Sequence, residues 1–239
     1  MTGFLKTKSQ NGHMDHDEKV YHEGADFQFE NEEILLGAPS SYSLITDPKH
    51  IVFVMSRYKF VAKMLEGKGE VMEIGSGDGI GLPIVAQAVK HVHCVDWDSR
   101  GLNSMNRRLG KHIKNFTTHH VNVNDEAPGI KVDAIYSIDL IEHIDPKKEP
   151  YFMDNAMQCL NKNGVMVTGT PNINANTYAS PCSQVQHINL KSMQTLRELM
   201  EQYFENVFIF GMNDEVVHTG YHGMSHFIWS IAAGIKAQA

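Results

Sequence analysis

Three side chains in one short segment could do chemistry together. The segment "DLIEHI", residues 139–144, places Asp139, Glu142 and His143 at spacings of three and four. In a helix, that spacing brings the three side chains onto one face. Such a group can bind a divalent cation; without a metal, His143 can act as a general base or make a purely structural hydrogen bond. The residues alone leave these roles open.

A glycine-rich stretch, "VMEIGSGDGIGLPI" at residues 71–84, indicates a ligand that approaches the backbone closely. Four glycines occupy alternate positions from Gly75 to Gly81, after an apolar run that ends near Glu73, and Asp78 lies inside the turn. Glycines in the first turn after a strand leave room for a bound cofactor. Two carboxylates at the turn would repel a diphosphate but tolerate a cation, which favours a cationic cofactor over a dinucleotide.

A second acidic position follows about twenty residues later, in "HVHCVDWD" at residues 91–98. Asp96, at the end of a predicted strand, is placed to accept both hydroxyls of a ribose. Trp97 offers a flat apolar surface to an adenine ring. Either residue alone is common in proteins without such a ligand, but their spacing from the glycine turn predicts a nucleoside site.

The elements that must position these residues alternate along the chain. An amphipathic helix begins at Pro48 and ends before Gly67. The alternation that follows predicts an α/β fold with a doubly wound parallel sheet and helices on both faces, and the last two strands, with no helix between them, are predicted to be antiparallel. Strands are predicted at 70–74, 91–96, 116–121, 132–139, 164–170, 206–211 and 225–234, and helices at 82–90, 100–113, 148–163 and 192–204.

Composition limits the classes of function. With 239 residues, the chain fits one domain at 48–239 preceded by a polar N-terminal arm or lid at 1–47. A formal net charge of −7 makes a nucleic-acid partner unlikely, and no apolar run reaches membrane-spanning length. Three widely spaced cysteines favour reduced thiols, and we expect a cytoplasmic protein. The sequence gives no indication of the oligomeric state.

Four segments together resemble the signature segments of class I S-adenosylmethionine-dependent methyltransferases. These are "VMEIGSGDGIG", Asp96, "VDAIYSIDLIEHI" and "LNKNGVMVTGTPN", in the order that the family has. The resemblance covers residues 50–235. It implies a single Rossmann-like sheet of seven strands with an antiparallel last strand, and it identifies residues 48–239 as the methyltransferase domain.

The resemblance also implies a role for individual residues around S-adenosylmethionine. The methionine part would be surrounded by Glu73, Gly75, Ser76, Gly77 and Gly79; Asp96 would hold the ribose; Trp97, Asn122 and Val123 would flank the adenine; and Ser137 and Asp139 would face the sulfonium. Arg57 and Tyr58 would reach the methionine carboxylate, although a surface arginine with no ligand is an equal interpretation of Arg57.

Within this family, the segment after the fourth strand resembles the O-methyltransferases of ubiquinone synthesis. It also resembles the 2′-O-methyltransferases that act on small-RNA 3′ ends, and both groups are associated with a divalent ion. The resemblance adds a later residue, His187 in "QVQHINLKS", to Asp139, Glu142 and His143 as ligands of Mg²⁺, Mn²⁺ or Zn²⁺. Asp139 has a shorter side chain than the glutamate of those families. His143 and Asp139 are the predicted catalytic residues.

The predicted reaction is methyl transfer from S-adenosylmethionine to a hydroxyl oxygen of a small polar molecule, such as a catechol- or quinol-like ring or a sugar diol. A divalent metal that binds two neighbouring oxygens would lower the hydroxyl pKa. The alternatives are an RNA 2′-O-methyltransferase and a catalytically silent S-adenosylmethionine-binding subunit. Structural roles are favoured for His91, His93, His119 and His120, whereas His218, Tyr221, His222 and His226 are weaker candidates for a polar substrate pocket.

Overall fold

The glycine-rich turn follows a central strand of one mixed sheet. The computed structural model describes residues 33–236, and in that range eight strands form a sheet in the order β3-β2-β1-β4-β5-β8-β6-β7. The strands are β1 (Glu70–Ile74), β2 (His91–Asp96), β3 (Phe116–His120), β4 (Val132–Ile138), β5 (Leu160–Pro171), β6 (Phe204–Asn213), β7 (Val216–His218) and β8 (Phe227–Ile235).

Strand direction fixes where a ligand can bind. Strands β1 to β5 pair in parallel, while β8 lies antiparallel between β5 and β6. The chain leaves β1 towards β2 and β3 on one side and returns to β4 on the other, so the strand order reverses between β1 and β4. In such sheets, ligands bind outside the carboxyl ends of the strands at the point of reversal. The glycine turn and the segment after β4 both lie there.

Helices cover both faces of the sheet. They are α1 (Ala38–Thr46), α2 (Pro48–Met64), α3 (Leu82–Ala86), α4 (Ser99–Leu109), α5 (Glu149–Cys159), α6 (Pro181–Gln186) and α7 (Met193–Glu201). Three short 3₁₀ turns lie at Ile141–His143, Ile173–Tyr178 and His222–Met224. No helix among residues 33–236 combines the length and the apolar character needed to cross a bilayer.

Two hydrophobic layers hold these helices to the sheet. Because neighbouring side chains of a strand point to opposite faces, Val71 packs with the layer that includes α2, α3 and α4, whereas Met72 packs with the layer that includes α5 and α7. Both side chains are fully buried. The central strands are therefore anchored on two sides, which gives the loops at their carboxyl ends a rigid base.

The predicted fold class is confirmed, with one strand more than the seven expected. The extra strand, β7, has three residues and forms a hairpin with β6 inside the predicted loop between the last two strands. The predicted antiparallel last strand is β8. Helix α1 lies within the predicted arm at 1–47, of which residues 1–32 lie outside the described range, so the domain boundary stays a prediction.

Two local predictions differ from the structure. Helix α5 ends at Cys159, and β5 begins at the next residue, four residues earlier than predicted, because Leu160 already pairs with Val132 of β4. The segment "DLIEHI" forms a single 3₁₀ turn at Ile141–His143 rather than a helix. Helical spacing therefore does not bring Asp139 beside Glu142 and His143.

Candidate active site

The glycine turn has a backbone that most residues could not adopt. Gly75, Gly77 and Gly79 have φ angles of 85°, 53° and 74°, values that favour glycine. A methyl group at Gly75 would contact the Leu140 side chain, whereas one at Gly77 would meet no atom within 4 Å. Gly77 therefore faces open space, where the sequence predicts the methionine part of the cofactor.

Asp96 is fixed at the end of β2 by two backbone amides. Gly77 N–H donates to Oδ2 of Asp96 at 2.8 Å, and Asp98 N–H donates to Oδ1 at 2.8 Å. Each carboxylate oxygen has a second lone pair free to accept another hydrogen bond. The Asp96 carboxylate thus links the glycine turn to β2 and can still accept the two hydroxyls of a ribose.

A cleft beside Asp96 brings together five of the predicted cofactor residues. Its lining includes Gly75, Asp96, Trp97, Asn122 and Val123, which come from the ends of β1, β2 and β3. Trp97 is 67% exposed, an unusual state for a residue with so much apolar surface. These residues provide a flat aromatic ring and polar atoms at the ends of three neighbouring strands.

Glu73 lies on the other side of β1, beneath α2. It is buried, and the Tyr58 hydroxyl donates to its Oε1 at 2.8 Å. Burial raises the pKa of Glu73 to about 7, although the hydroxyls of Tyr58 and Tyr136 act in the opposite direction. Oε2 has no hydrogen-bond partner among the described residues. Glu73 therefore ties α2 to β1 through Tyr58 and keeps one acceptor oxygen available.

Asp139 directly follows β4 and has a left-handed backbone conformation with a φ of 51°. Asp adopts this conformation more readily than most residues, at a cost of about 1 kcal/mol. Its Oδ2 accepts a hydrogen bond from Arg57 at 2.6 Å, and the Arg57 guanidinium lies 4.0 Å from the centre of the Phe227 ring. An ion pair and a cation–π contact therefore hold Arg57 at the carboxyl end of β4.

Glu142 is a buried carboxyl group with one unpaired oxygen. The Thr170 hydroxyl donates to Oε2 at 2.8 Å, while Oε1 has no hydrogen-bond partner among the described residues. Burial and, after it, the charge of Asp139 raise the pKa of Glu142 to about 8. A buried carboxyl with a free oxygen is costly unless a proton or a cation accompanies it.

Two imidazoles lie next to that oxygen. Nε2 of His143 is 4.0 Å from Oε1 of Glu142, and the rings of His143 and His187 contact edge to face with centres 5.0 Å apart. One ligand atom from each of these three residues lies within 4.8 Å of the others. Asp139 is outside this group and pairs with Arg57. The structure thus brings together three of the four predicted metal ligands.

The two imidazoles differ in their hydrogen-bond partners. Nδ1 of His143 lies 3.2 Å from the Gln186 carbonyl oxygen, which can only accept, so Nδ1 carries the proton and Nε2 has a free lone pair. Nδ1 of His187 is buried without a hydrogen-bond partner among the described residues. Burial, with a smaller effect from His143, lowers the pKa of His187. In its neutral form, each ring therefore offers one nitrogen to the shared space.

His187 is held in position by a buried ion pair. The sequence patterns did not indicate this pair. Lys191 contacts Glu149 at the start of α5, and both side chains contact Asn189, whose amide donates to Glu149 Oε2 at 2.7 Å. The Asn189 backbone N–H in turn donates to the Glu142 carbonyl oxygen at 3.0 Å. This network fixes the segment 187–191 against the 3₁₀ turn at Ile141–His143.

A cavity of about 910 Å³ opens onto this cluster. Its wall includes Arg57, Asp139, Glu142, His143 and His187, together with residues of α1 and of the segment between β5 and α7. Asp139 lines this cavity, and the next residue, Leu140, lines the cleft beside Asp96. The cavity and the cleft thus adjoin at the end of β4.

Two predicted cofactor residues lie below the surface of these spaces. Ser76 and Ser137 are buried, at 3% and 1% exposure. The Ser76 hydroxyl donates to the Val95 carbonyl oxygen at 3.4 Å, whereas the Ser137 hydroxyl has no hydrogen-bond partner among the described residues. Of the weaker candidates, His226 lies in the cavity wall.

The sequence and the fold were compared with known proteins. No match is found among curated protein sequences. Many solved structures are similar, among them the methyltransferase domain of bacterial CtHen1-C, with 18% identity and a TM-score of 0.62 over 76% of this chain and 98% of that one. A methyltransferase from Aquifex aeolicus, described as S-adenosylmethionine-dependent, has 15% identity and a TM-score of 0.61 over 83% and 99% of the two chains.

A third similar structure is NodS, an N-methyltransferase from Bradyrhizobium japonicum WM9, in complex with S-adenosylhomocysteine. It has 12% identity and a TM-score of 0.60, over 89% of this chain and 97% of that one. At these identities the similarity shows the fold alone. The family is shown by a sequence profile described as "Methyltransferase domain", which matches residues 50–207, more than half of the chain. This chain therefore belongs to the methyltransferase-domain family, and its fold is that of the class I S-adenosylmethionine-dependent methyltransferases.

Proposed function

We propose that this protein transfers a methyl group from S-adenosylmethionine to a hydroxyl oxygen of a small polar molecule. One observation carries the proposal: a nucleoside-sized set of residues around Asp96 adjoins a cavity whose wall holds Glu142, His143 and His187. The donor and the acceptor of a methyl group must meet in line at the sulfonium. The end of β4 is where these two spaces adjoin.

The cofactor would lie across the carboxyl ends of β1, β2 and β3. Asp96 would accept the ribose hydroxyls, Trp97 and Val123 would flank the adenine, and the open side of Gly77 would receive the methionine part. The buried acids beneath this surface suit a cationic sulfonium better than a phosphate. Arg57, held by Asp139 and Phe227, supplies a positive charge for the methionine carboxylate.

His143 is the residue best placed to activate an acceptor hydroxyl. Its Nδ1–H is occupied by the Gln186 carbonyl, which leaves the Nε2 lone pair directed away from that contact. A neutral imidazole with an exposed fraction of 38% can take a proton from a hydroxyl in the cavity. The methyl group then moves from sulfur to oxygen, while the hydroxyl proton stays on Nε2.

The residues at this cluster also fit a divalent cation. One ligand atom from each of Glu142, His143 and His187 lies within 4.8 Å of the others, and Oε1 of Glu142 and Nδ1 of His187 have no hydrogen-bond partner among the described residues. An oxygen with two imidazoles suits Zn²⁺ or Mn²⁺. When bound, the ion would lower the pKa of an acceptor hydroxyl and offer open positions to two neighbouring oxygens. Asp139 would join this set only if it left Arg57.

The acceptor class follows from the cavity and from the sequence resemblance. A volume of about 910 Å³ holds a small molecule together with part of the cofactor. Its polar and imidazole-rich wall suits catechol- or quinol-like rings and sugar diols, as in the O-methyltransferases of ubiquinone synthesis. Because NodS is an N-methyltransferase with the same fold, the acceptor atom has to be established by experiment.

Methyl transfer from labelled S-adenosylmethionine to catechols, quinols, nucleotide sugars and matched amines tests the proposal. We expect transfer to at least one hydroxyl acceptor, and we expect His143→Ala to lower kcat by at least about 100-fold while S-adenosylhomocysteine binding is retained. The control is His112→Ala, an exposed histidine distant in sequence from the cluster. Transfer only to amines would contradict O-methylation, and cofactor binding without transfer to any acceptor would favour the silent subunit.

Chelation tests the metal separately. If the cation contributes, metal-stripped protein loses activity and regains it with Mn²⁺, Mg²⁺ or Zn²⁺, and the double variant Glu142→Ala/His143→Ala retains one ion fewer than the unmodified protein in elemental analysis. Full activity of the metal-stripped protein would leave His143 as a metal-free base.

A further inference from the structure

A second group of imidazoles lies near the amino ends of β1 and β2 and beside the neighbouring β3, away from the candidate active site. Glu70 begins β1, His91 and His93 lie on β2, and His119 lies on β3. Glu70 pairs with His91 in the sheet, and alternation along β2 places His91 and His93 on the same face. The carboxylate of Glu70 and the imidazoles of the two neighbouring strands therefore lie on one side of the sheet.

These side chains contact each other directly. Nε2 of His93 donates to Oε2 of Glu70 at 2.9 Å, and Nδ1 of His93 lies 3.1 Å from Nε2 of His119. The ring centres of His91 and His93 are 4.8 Å apart. One ligand atom each from Glu70, His91 and His93 lies within 4.8 Å of the other two. The group is thus a compact cluster of one carboxylate and three imidazoles.

Among residues 33–236, the connection that would place a helix over this part of the sheet contains none. Parallel strands are usually connected by a helix that covers one face, but residues 121–131, which connect β3 to β4, form turns and loop. The cluster is consequently partly exposed, from 14% for the His93 side chain to 51% for that of Glu70. An ion can reach these residues from solvent without a change in the fold.

We propose that Glu70, His91 and His93 bind a divalent transition-metal ion, with His119 orienting His93. Two imidazoles and one carboxylate suit Zn²⁺, Co²⁺, Ni²⁺ or Cu²⁺, whereas Mg²⁺ and Ca²⁺ prefer oxygen ligands alone. Zinc–ligand bonds of about 2.0–2.1 Å require ligand atoms about 3.3 Å apart. Because the ligand atoms now lie within 4.8 Å of one another, Glu70 and His91 would rotate towards His93 to reach that spacing.

His119 has the position of a supporting residue. With the ion on Nε2 of His93, the ring proton lies on Nδ1, and it then faces Nε2 of His119 at 3.1 Å. Metal-bound histidines commonly donate their second ring N–H to such an acceptor, which fixes the orientation of the ring.

The site is independent of the proposed methyl transfer. It lies at the amino ends of β1 and β2, whereas the cofactor and acceptor residues lie at the carboxyl ends. An ion held by β1 and β2 would connect the starts of two central strands and stabilise the folded chain by preferential binding to it. Its occupancy is therefore expected to raise the thermal midpoint without changing kcat.

Cobalt titration of the full-length protein tests the site. Co²⁺ reports coordination by its visible absorption, and elemental analysis after dialysis counts the bound ions. We expect His93→Ala to bind one ion fewer than the unmodified protein, and His119→Ala to keep the ion with affinity about 10–100-fold lower. Ions held by other histidines of the chain are common to all these proteins and cancel in the comparison.

Two controls separate this site from others. His112→Ala, an exposed histidine outside the cluster, should keep the full ion count. In the background of His143→Ala/His187→Ala, which removes any ion of the candidate active site, His93→Ala should still bind one ion fewer. Equal ion counts in the unmodified protein, His91→Ala and His93→Ala would overturn the proposal. Should a variant fail to fold, anomalous diffraction from zinc-containing crystals of the unmodified protein decides: a peak between Glu70 and the two rings supports the site, and its absence at saturating zinc overturns it.

Discussion

The buried ion pair between Lys191 and Glu149 provides a sharp test of how the candidate active site is held together. The change Lys191→Met keeps the length of the side chain and removes its charge. It leaves Glu149 buried, with the Asn189 amide as its remaining strong donor, and it removes the donor to Asn189 Oδ1 at 3.0 Å. We therefore expect a large loss of stability and a loss of order around His187.

The magnitude follows from burial. The Lys191 and Glu149 side chains are 10% and 15% exposed, and removing one partner of such a pair typically costs 3–5 kcal/mol. Because Glu149 also lies in the first turn of α5, where the helix dipole favours a negative charge, we expect the lower end, about 3 kcal/mol. With an m-value of about 2 kcal/mol per molar, the urea midpoint falls by roughly 1.5 M.

Urea unfolding measured by circular dichroism checks this value. Lys148→Met is a matched control, since its pair with Asp125 has side chains 50% and 57% exposed and is expected to contribute at most about 1 kcal/mol. The double variant Glu149→Gln/Lys191→Met should recover most of the stability but stay impaired in methyl transfer. A loss in Lys191→Met no larger than that in Lys148→Met would refute the positioning role of this network.

Three further predictions concern the cofactor side of the site. Gly77→Ala should weaken S-adenosylhomocysteine binding by at least tenfold in calorimetry, while Gly67→Ala, which has the same kind of strained backbone and open surroundings, should cost about 1 kcal/mol of stability and bind normally. Tryptophan fluorescence should change on addition of S-adenosylhomocysteine and lose that change in Trp97→Phe, because the exposed ring would be covered; an unchanged signal in the unmodified protein would place the adenine elsewhere. Because its pKa is raised to about 7, Glu73 should keep its proton in the folded state at pH values where the unfolded chain has lost it. Ionising Glu73 therefore lowers the free energy of unfolding. This loss is absent below about pH 4.5, grows as the pH rises and reaches roughly 3 kcal/mol above about pH 7. Glu73→Gln should therefore flatten the stability profile of the cofactor-free protein between pH 4.5 and 7, and an equally steep profile in that variant would contradict this.

Local sequence signals predicted which residues of the proposed cofactor site lie together, while their role in binding stays a prediction. Glycines at alternate positions and an acid at the end of the next strand are separated by a fixed βα unit, so their spacing determines that Asp96 reaches the Gly77 amide. The same spacing rule predicts the placement of Trp97, Asn122 and Val123 near Asp96, because the carboxyl ends of parallel strands lie side by side. These residues line one cleft in the structure.

The acceptor side was harder to predict because it depends on contacts between distant segments. Asp139 departs from the helical pattern through a left-handed backbone angle that the "DLIEHI" spacing does not encode. The pairing of Lys191 with Glu149 joins residues 42 positions apart and has no periodic signature. Strand β7 was missed since three residues provide too short an alternation to distinguish from a loop.

The amino-end cluster of imidazoles shows the same limit. Histidines at alternate positions of β2 are consistent with a structural role, and the sequence favours that interpretation. Their meeting with Glu70 and His119 becomes apparent only from the register of β1, β2 and β3. The missing helix between β3 and β4 then explains why polar rings can occupy a sheet face that is usually apolar.

The most direct test of the central claim is calorimetric titration of the protein with S-adenosylhomocysteine and with NAD. A cleft built on Asp96 should bind one S-adenosylhomocysteine and no NAD. Asp96→Asn should weaken that binding at least tenfold, whereas Asp98→Asn, two residues away at the start of α4, should bind as tightly as the unmodified protein because asparagine caps a helix as well as aspartate does. Equal or tighter binding of NAD, or full affinity for S-adenosylhomocysteine in Asp96→Asn, would contradict the account.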